Sequence, residues 1–177
     1  MPADKSEELG VMLRQKATWV RKETLLIHKI APETRIASSL SAVEIFVVLY
    51  YGKLLAYNAR DIQWEGRDRF VISKGHGAIS FYPILADLGF FDPAELGRVC
   101  KEGTFLGGIP DSIIPGFETI NGSLGHGPGV ACGMALGLKR KQQLFVHGPL
   151  PHDLLDQQDL RPAGATGMAK FLFTRAT

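Results

Sequence analysis

Apolar positions recur at helical spacing near the start of the chain, where Leu9, Leu13, Val20 and Ile27 predict a long first helix. Asp4-Lys5-Ser6-Glu7 can close a capping box at its beginning, and Pro32 ends it because proline disfavours helix in the residue before it. Ser41-Ala42-Val43-Glu44 repeats the capping pattern ahead of IFVVLYYG, apolar on nearly all sides, which predicts a buried helix stopped by Gly52. The Val, Ile, Phe and Tyr of that run would also suit a buried strand, and the cap decides for the helix. Mixed charges over residues 53–68 predict a loop, and Arg69-Phe70-Val71-Ile72-Ser73 a strand. From Ala78 to Leu88 the apolar Ile79, Tyr82, Ile84, Leu85 and Leu88 predict a helix ending at Gly89, although Pro83 lies inside it. Asp92-Pro93-Ala94-Glu95 opens a short helix to about Lys101, and residues 103–121 form a loop. A last helix, VACGMALGLKRK, follows the glycine-rich run Gly122 to Gly129. Beyond Gln142 the periodicity fades. Leu144-Phe145-Val146 could make one strand, but Pro149, Pro151 and Pro162 follow, so residues 143–177 read as a divergent, proline-containing, poorly structured tail.

Strand, glycine loop and helix thus occur twice, at Gly75-His76-Gly77 and at Gly122–Gly129. That alternation argues for an α/β domain, a parallel sheet flanked by helices with its ligand site at the loops after the strands. With 177 residues, 45% of them hydrophobic, the chain can bury one full core. A net charge of +2 draws the protein neither to nucleic acid nor to anionic lipid. Cys100 and Cys132 have no metal-like spacing and predict buried, free thiols in a reducing compartment. The charged first residues lack an apolar signal core, and the longest uncharged apolar run, Ile45 to Tyr51, is too short to span a bilayer. The expectation is a soluble cytoplasmic protein.

A glycine-rich turn that opens a helix offers bare backbone N–H groups and the positive end of the helix dipole, which suits a phosphate or diphosphate. Neither loop matches the dinucleotide fingerprint or the P-loop, and on spacing alone a simple chain turn with a hydrogen-bonded loop histidine fits as well. His147, His152, Asp153 and Asp156 lack the spacing of a structural metal site, so no metal ligand is predicted. Lys139-Arg140-Lys141 suits a solvated helix C-terminus.

Taken together, SSLSAVEIFVVLYYG, DRFVISKGHGAISFYPILADLGFF and PGFETINGSLGHGPGVACGMALGLK resemble the N-terminal half of transketolases, including those split into N- and C-terminal subunits. The resemblance implies an incomplete thiamine-diphosphate-binding fold, with residues 1–142 as the diphosphate-binding domain. It implies that His76 lies beside the cofactor's diphosphate as a catalytic and cofactor-binding residue, where an imidazole can donate to phosphate oxygens and change protonation near neutral pH. It implies that Gly122, Ser123, Leu124 and Gly125 bring their main chain against the aminopyrimidine ring. His126 occupies a position where the family often has glutamine.

Three departures accompany the match. Arg35 stands where the family carries the histidine of a Ser-Gly-His-Pro-Gly turn, and Ile109, in Gly108-Ile109-Pro110, replaces a second polar contact. Leu144-Phe145-Val146-His147-Gly148-Pro149 arrives where the family has the Gly-Asp-Gly that helps hold Mg2+ on the diphosphate, a hard cation that needs oxygen ligands. A frame change, alternative splice or truncation near codon 142 would explain this, as would a divergent paralogue. The family's activating carboxylate also lies on another domain. The resemblance therefore implies ketol transfer between phosphorylated sugars, dependent on thiamine diphosphate and needing a C-terminal transketolase-type subunit or second protomer. The alternative is a catalytically inactive paralogue acting as a binding or scaffolding protein.

Overall fold

The computed structural model describes residues 5–140 and 170–172 of the chain. Helix α1 spans Lys5–Ile30 and buries Ala17, Val20, Thr24 and Ile27 on one stripe, with Leu9 and Leu13 half-buried. Thr24 can be buried there because its hydroxyl donates to the Val20 carbonyl at 2.7 Å. Lys101 donates to the Ile30 carbonyl at 3.2 Å, covering one acceptor left over at the helix end. Asp4, the expected cap, lies outside the described residues.

The patterning at Ile45 to Tyr51 resolves as helix, α3 over Val43–Tyr51, preceded by a five-residue helix α2 over Ile36–Leu40 that periodicity alone did not reveal. The expected capping box does not form. Ala42 is the N-cap, Ser41 donates instead to the Ser38 carbonyl at 2.8 Å, and Glu44 pairs with Arg21 of α1. Tertiary partners outcompeted the local cap. Gly52 ends α3 as expected: its N–H returns to the Val48 carbonyl at 3.0 Å, and a Cβ there would lie 2.3 Å from that oxygen.

Strand β1 is shorter than expected, Phe70–Ile72, and wholly buried. Its side chains alternate as a strand demands: Phe70 and Ile72 join the main core, while Val71 packs with Ala131 of α5 (Gly127–Arg140) on the other face. Strand β2, Lys170–Leu172, pairs with β1 in parallel, Phe70 opposite Lys170 and Ile72 opposite Leu172. A parallel pair with helices on both faces is the α/β arrangement expected, in its smallest form. It also places structure in a segment that reads as poorly structured. The strand expected at Leu144 to Val146 lies outside the described residues.

The single helix expected over Ala78 to Leu88 is in fact two pieces. A 3-10 helix covers Gly75–Ser80, and α4 covers Tyr82–Asp87 with Pro83 in its first turn. Proline has no N–H to give to a preceding turn, so a new α-helix starts at Tyr82, with Pro83 in its first turn, instead of one helix running through it. Asp92 caps a second 3-10 helix, Pro93–Arg98, by accepting from the Ala94 N–H at 2.9 Å, while Glu95 turns to Arg98 instead of back to the cap.

The core centres on Phe81, whose ring lies 5.0 Å from Tyr50, 5.2 Å from Phe46 and 5.1 Å from Phe117. Each such pair adds about 1 kcal/mol beyond the area buried. The cluster fixes α3, β1 and the 3-10/α4 corner relative to one another, and thereby the loop that leaves β1. Cys100 and Cys132 are free thiols, but they are not buried as expected: Cys100 is half-buried and Cys132 is exposed on α5. Among the described residues no helix is long and apolar enough to cross a membrane.

Candidate functional site

Where β1 ends, Ser73-Lys74-Gly75-His76-Gly77 turns into the first 3-10 helix, and there the second glycine loop meets it. Gly75 lies so close to Asn121 that a Cβ on Gly75 would be 1.7 Å from the Asn121 carbonyl oxygen. Gly127 is equally constrained, since its Cβ would fall 2.7 Å from that of Ser73, and its N–H donates to the Ser73 hydroxyl at 3.1 Å. Only glycine permits these two approaches. They join the loop after β1 to the loop that opens α5 in one crevice, at the end of β1 where α/β folds hold ligands.

His76 is half-buried in the first loop. Its carbonyl is within 3.3 Å of the Ser39 hydroxyl, which also lies 3.0 Å from the carbonyl of Arg35, so one buried hydroxyl ties the turn before α2 to the His76 loop. Ser80 reinforces the seam by donating to the Ser39 carbonyl at 2.8 Å. Lys74 reaches Ser41 at 3.3 Å. In the second loop Gly122, Ser123, Leu124, Gly125 and His126 are all exposed, Leu124 to 56%. Beside Gly122, Gly125 and Gly129 a Cβ would meet nothing within 4 Å. The crevice therefore has open space along a backbone with little side-chain bulk, next to the N-terminus of a 14-residue helix.

A third wall comes from the segment before Asp111. Pro110 would be 3.3 Å from a Cβ on Gly75, and Tyr82 donates to the Gly107 carbonyl at 2.7 Å. Burial pushes the Tyr82 phenol up, so it stays a neutral donor holding this wall. Ile109 is exposed at the turn. Arg35 is exposed, and its guanidinium has no ion pair with any described residue.

The structure thus brings together the backbones that flank His76 and residues 122–125, at Gly75–Asn121 and Ser73–Gly127. Sequence reading missed the residues that hold them there. Ser73 ends the strand and was legible only as part of a motif; Ser39 lies in an unforeseen helix. Asn121 is 2% exposed, its amide donates to Thr119 at 2.7 Å, and its side-chain oxygen has no partner.

His147, His152, Asp153 and Asp156 lie outside the described residues. Among those described, no group of three His, Cys, Asp or Glu side chains could hold a metal ion. A separate cavity of about 270 Å3 opens at the other end of β1, lined by Tyr50, Tyr57, Phe70, Arg67 and Glu118. Its Arg67 and Glu118 are already paired at 3.1 Å.

Comparison with known proteins gives the site a family. Residues 31–157 match the model for the transketolase, thiamine diphosphate binding domain, a span that runs past residue 142. A transketolase family protein of Sinorhizobium fredii is 34% identical over 151 residues, 84% of this chain and 53% of that protein. One subunit of the apulose-4-phosphate transketolase of Actinobacillus succinogenes is 32% identical over 139 residues, 76% of this chain and 50% of its own length. The crystal structure of Campylobacter jejuni transketolase superposes with a TM-score of 0.67 at 28% identity, over 75% of this chain and 21% of that one. The chain therefore spans about half the length of the two curated relatives.

Proposed function

The chain belongs to the transketolase thiamine-diphosphate-binding domain family, and from that membership we propose that it is the N-terminal, diphosphate-binding part of a transketolase-type transferase. On this reading it moves a two-carbon ketol unit between phosphorylated sugars, and only together with a partner. The observation that carries the reading is the crevice itself: the Gly75–Asn121 and Gly127–Ser73 approaches unite the two glycine loops that would face the cofactor on this reading.

Thiamine diphosphate fits this crevice, because Gly122, Gly125 and Gly129 leave room beside their backbone and the facing segments are basic. Such a cofactor supplies a carbon nucleophile able to cleave the bond beside a ketose carbonyl. The protein's part is to bind and orient. His76 would donate an imidazole N–H to a phosphate oxygen, its loop held by Ser39 and Ser80. Residues 122–125 would lie against the heterocycle with main chain alone, and the α5 N-terminus would add a positive dipole end. A hard divalent ion does not fit the described residues, which offer it no cluster of acids.

On this reading a C-terminal partner or second protomer would supply the carboxylate that activates the cofactor. The Actinobacillus succinogenes relative is named as one subunit of its transketolase, which supports such a division of labour. Two free thiols suit a reducing, cytoplasmic setting. The test is to mix the full chain with thiamine diphosphate, Mg2+ and candidate C-terminal subunits. Cofactor-dependent transfer from a phosphorylated ketose is expected, and no turnover with any partner would refute the catalytic reading. A second reading, a binding protein without catalysis, draws on Arg35 and Ile109 at the crevice. It predicts complex formation with such a partner and no turnover.

A further inference from the structure

The cavity at the start of β1 stands apart from the crevice, for none of residues 73–77 or 121–129 lines it. Its volume of about 270 Å3 falls just below the range of about 300–1,000 Å3 that holds drug-sized ligands, which limits an occupant to one small ring system. Aromatic rings make its floor and one wall. Tyr50 and Phe70 are buried beneath it with centroids 5.9 Å apart, and half-buried Tyr57 lies 5.3 Å from Tyr50 and 5.8 Å from Phe90. Faces of this kind stack with a flat ring. Ile62 and Ile113, one from each flanking loop, line the same space while 37% and 69% exposed, so an occupant would also take apolar surface out of water.

The polar lining decides which ring fits. Among the described lining residues Arg67 is the one cation, and each of its side-chain nitrogens already donates: Nε and Nη2 to Glu118 at 3.2 and 3.1 Å, and Nη1 to the Trp64 carbonyl at 3.1 Å. Asp68 adds a second carboxylate to the lining, while Arg69 offsets it from outside the cavity, 4.0 Å from Glu118. The balance is close to neutral, and nothing here repays the desolvation of a phosphate or carboxylate. Neutral partners are plentiful: the amides of Asn58 and Gln63 and the hydroxyl of Ser112 line the cavity, and the Glu118 oxygens can each accept a further N–H.

We propose that this cavity binds a small neutral nitrogen heterocycle of the free nucleobase class, stacked on Tyr57 and hydrogen-bonded through its ring and amino N–H groups to Glu118 and the neighbouring amides. The site is independent of the crevice and of the function read from it.

The experiment is calorimetric titration of the full chain with adenine, and with benzoate as an anionic ring of similar reach. Saturable adenine binding with a Kd below about 1 mM is expected, and benzoate should bind at least about tenfold more weakly. Tyr57→Leu keeps an apolar side chain against Tyr50 and Phe90 but removes the stacking face, and should weaken adenine by about tenfold. Because that change touches the core, photolabelling of the unaltered chain with 8-azidoadenine locates the site directly: labelled peptides should come from residues 50–70 or 112–118. Adenine that fails to saturate, benzoate that binds as tightly, full affinity in a folded Tyr57→Leu, or labels confined to residues 73–77 and 121–129 would each overturn the proposal.

Discussion

Replacing Gly75 with alanine should damage both fold and crevice, in a way the contact geometry lets us scale. The added Cβ would stand 1.7 Å from the Asn121 carbonyl oxygen, 2.7 Å from its carbonyl carbon and 3.3 Å from Pro110. Comfortable contact needs roughly 3.5 Å, so the two loops must part by roughly 2 Å at this point. The nearest atoms are backbone, which cannot rotate away as a side-chain tip can. Gly75 is also buried, at the end of a strand whose neighbours Phe70, Ile72 and Phe81 are packed on all sides. Overpacking at such a position costs about 1–3 kcal/mol or more. A displacement of this size would also weaken any ligand that must touch both loops, and a 1 Å error in positioning can cost on the order of a hundredfold in rate. Urea denaturation and titration with inorganic pyrophosphate measure the two effects on one sample. Gly122→Ala is the stability control, since its Cβ meets nothing within 4 Å, and it should shift stability by less than about 0.5 kcal/mol. If Gly75→Ala matched the parent in both stability and affinity, the two loops would not be in contact, and the shared crevice would be wrong.

Other outcomes follow from single interactions. His76→Ala should lower affinity for thiamine diphosphate by about tenfold or more with little change in melting temperature, because its imidazole is half-buried and the seam beneath it is made by backbone and serines. Ser80→Ala removes a buried hydroxyl bonded to the Ser39 and Gly77 carbonyls and should cost about 1–2 kcal/mol in urea denaturation. Glu118→Gln breaks a bidentate pair with Arg67 in which both side chains are mostly buried, and should cost about 2 kcal/mol by the same measurement. Burial raises the carboxyl of Asp87, but hydrogen bonds from Lys16 and Tyr51 outweigh it and hold the group below its ordinary value. A carboxylate depressed by folding stabilises the protein above its unfolded pKa of about 4 and loses that contribution as pH falls through the folded value. Asp87→Asn should therefore flatten the acid limb of the stability–pH curve, while an unchanged limb would remove Asp87 from the account.

Much of the fold was legible in the chain for local reasons. The long stripe of α1 and the β-branched run of β1 state what must leave water, and pattern alone assigns them; the all-round apolarity of α3 suited helix and strand alike, and the capping pattern that decided for helix is one the fold does not use. The three motif stretches likewise marked the family and singled out His76 and residues 122–125. Local rules failed where a neighbour from elsewhere offered a better partner. Glu44 gave up its cap for Arg21, Pro83 divided one expected helix into two, and Lys170 to Leu172 found the edge of β1 from far along the chain. The meeting of the two glycine loops belongs to the same class, because Gly75 and Asn121 are 46 positions apart and only packing around Phe81 brings them together. The sequence by itself determined which residues could bind an anion, since glycine, imidazole and basic side chains carry that chemistry wherever they stand. Tertiary structure decided that the two loops meet, because the distance between two backbones depends on the core beneath them and on nothing written in either loop.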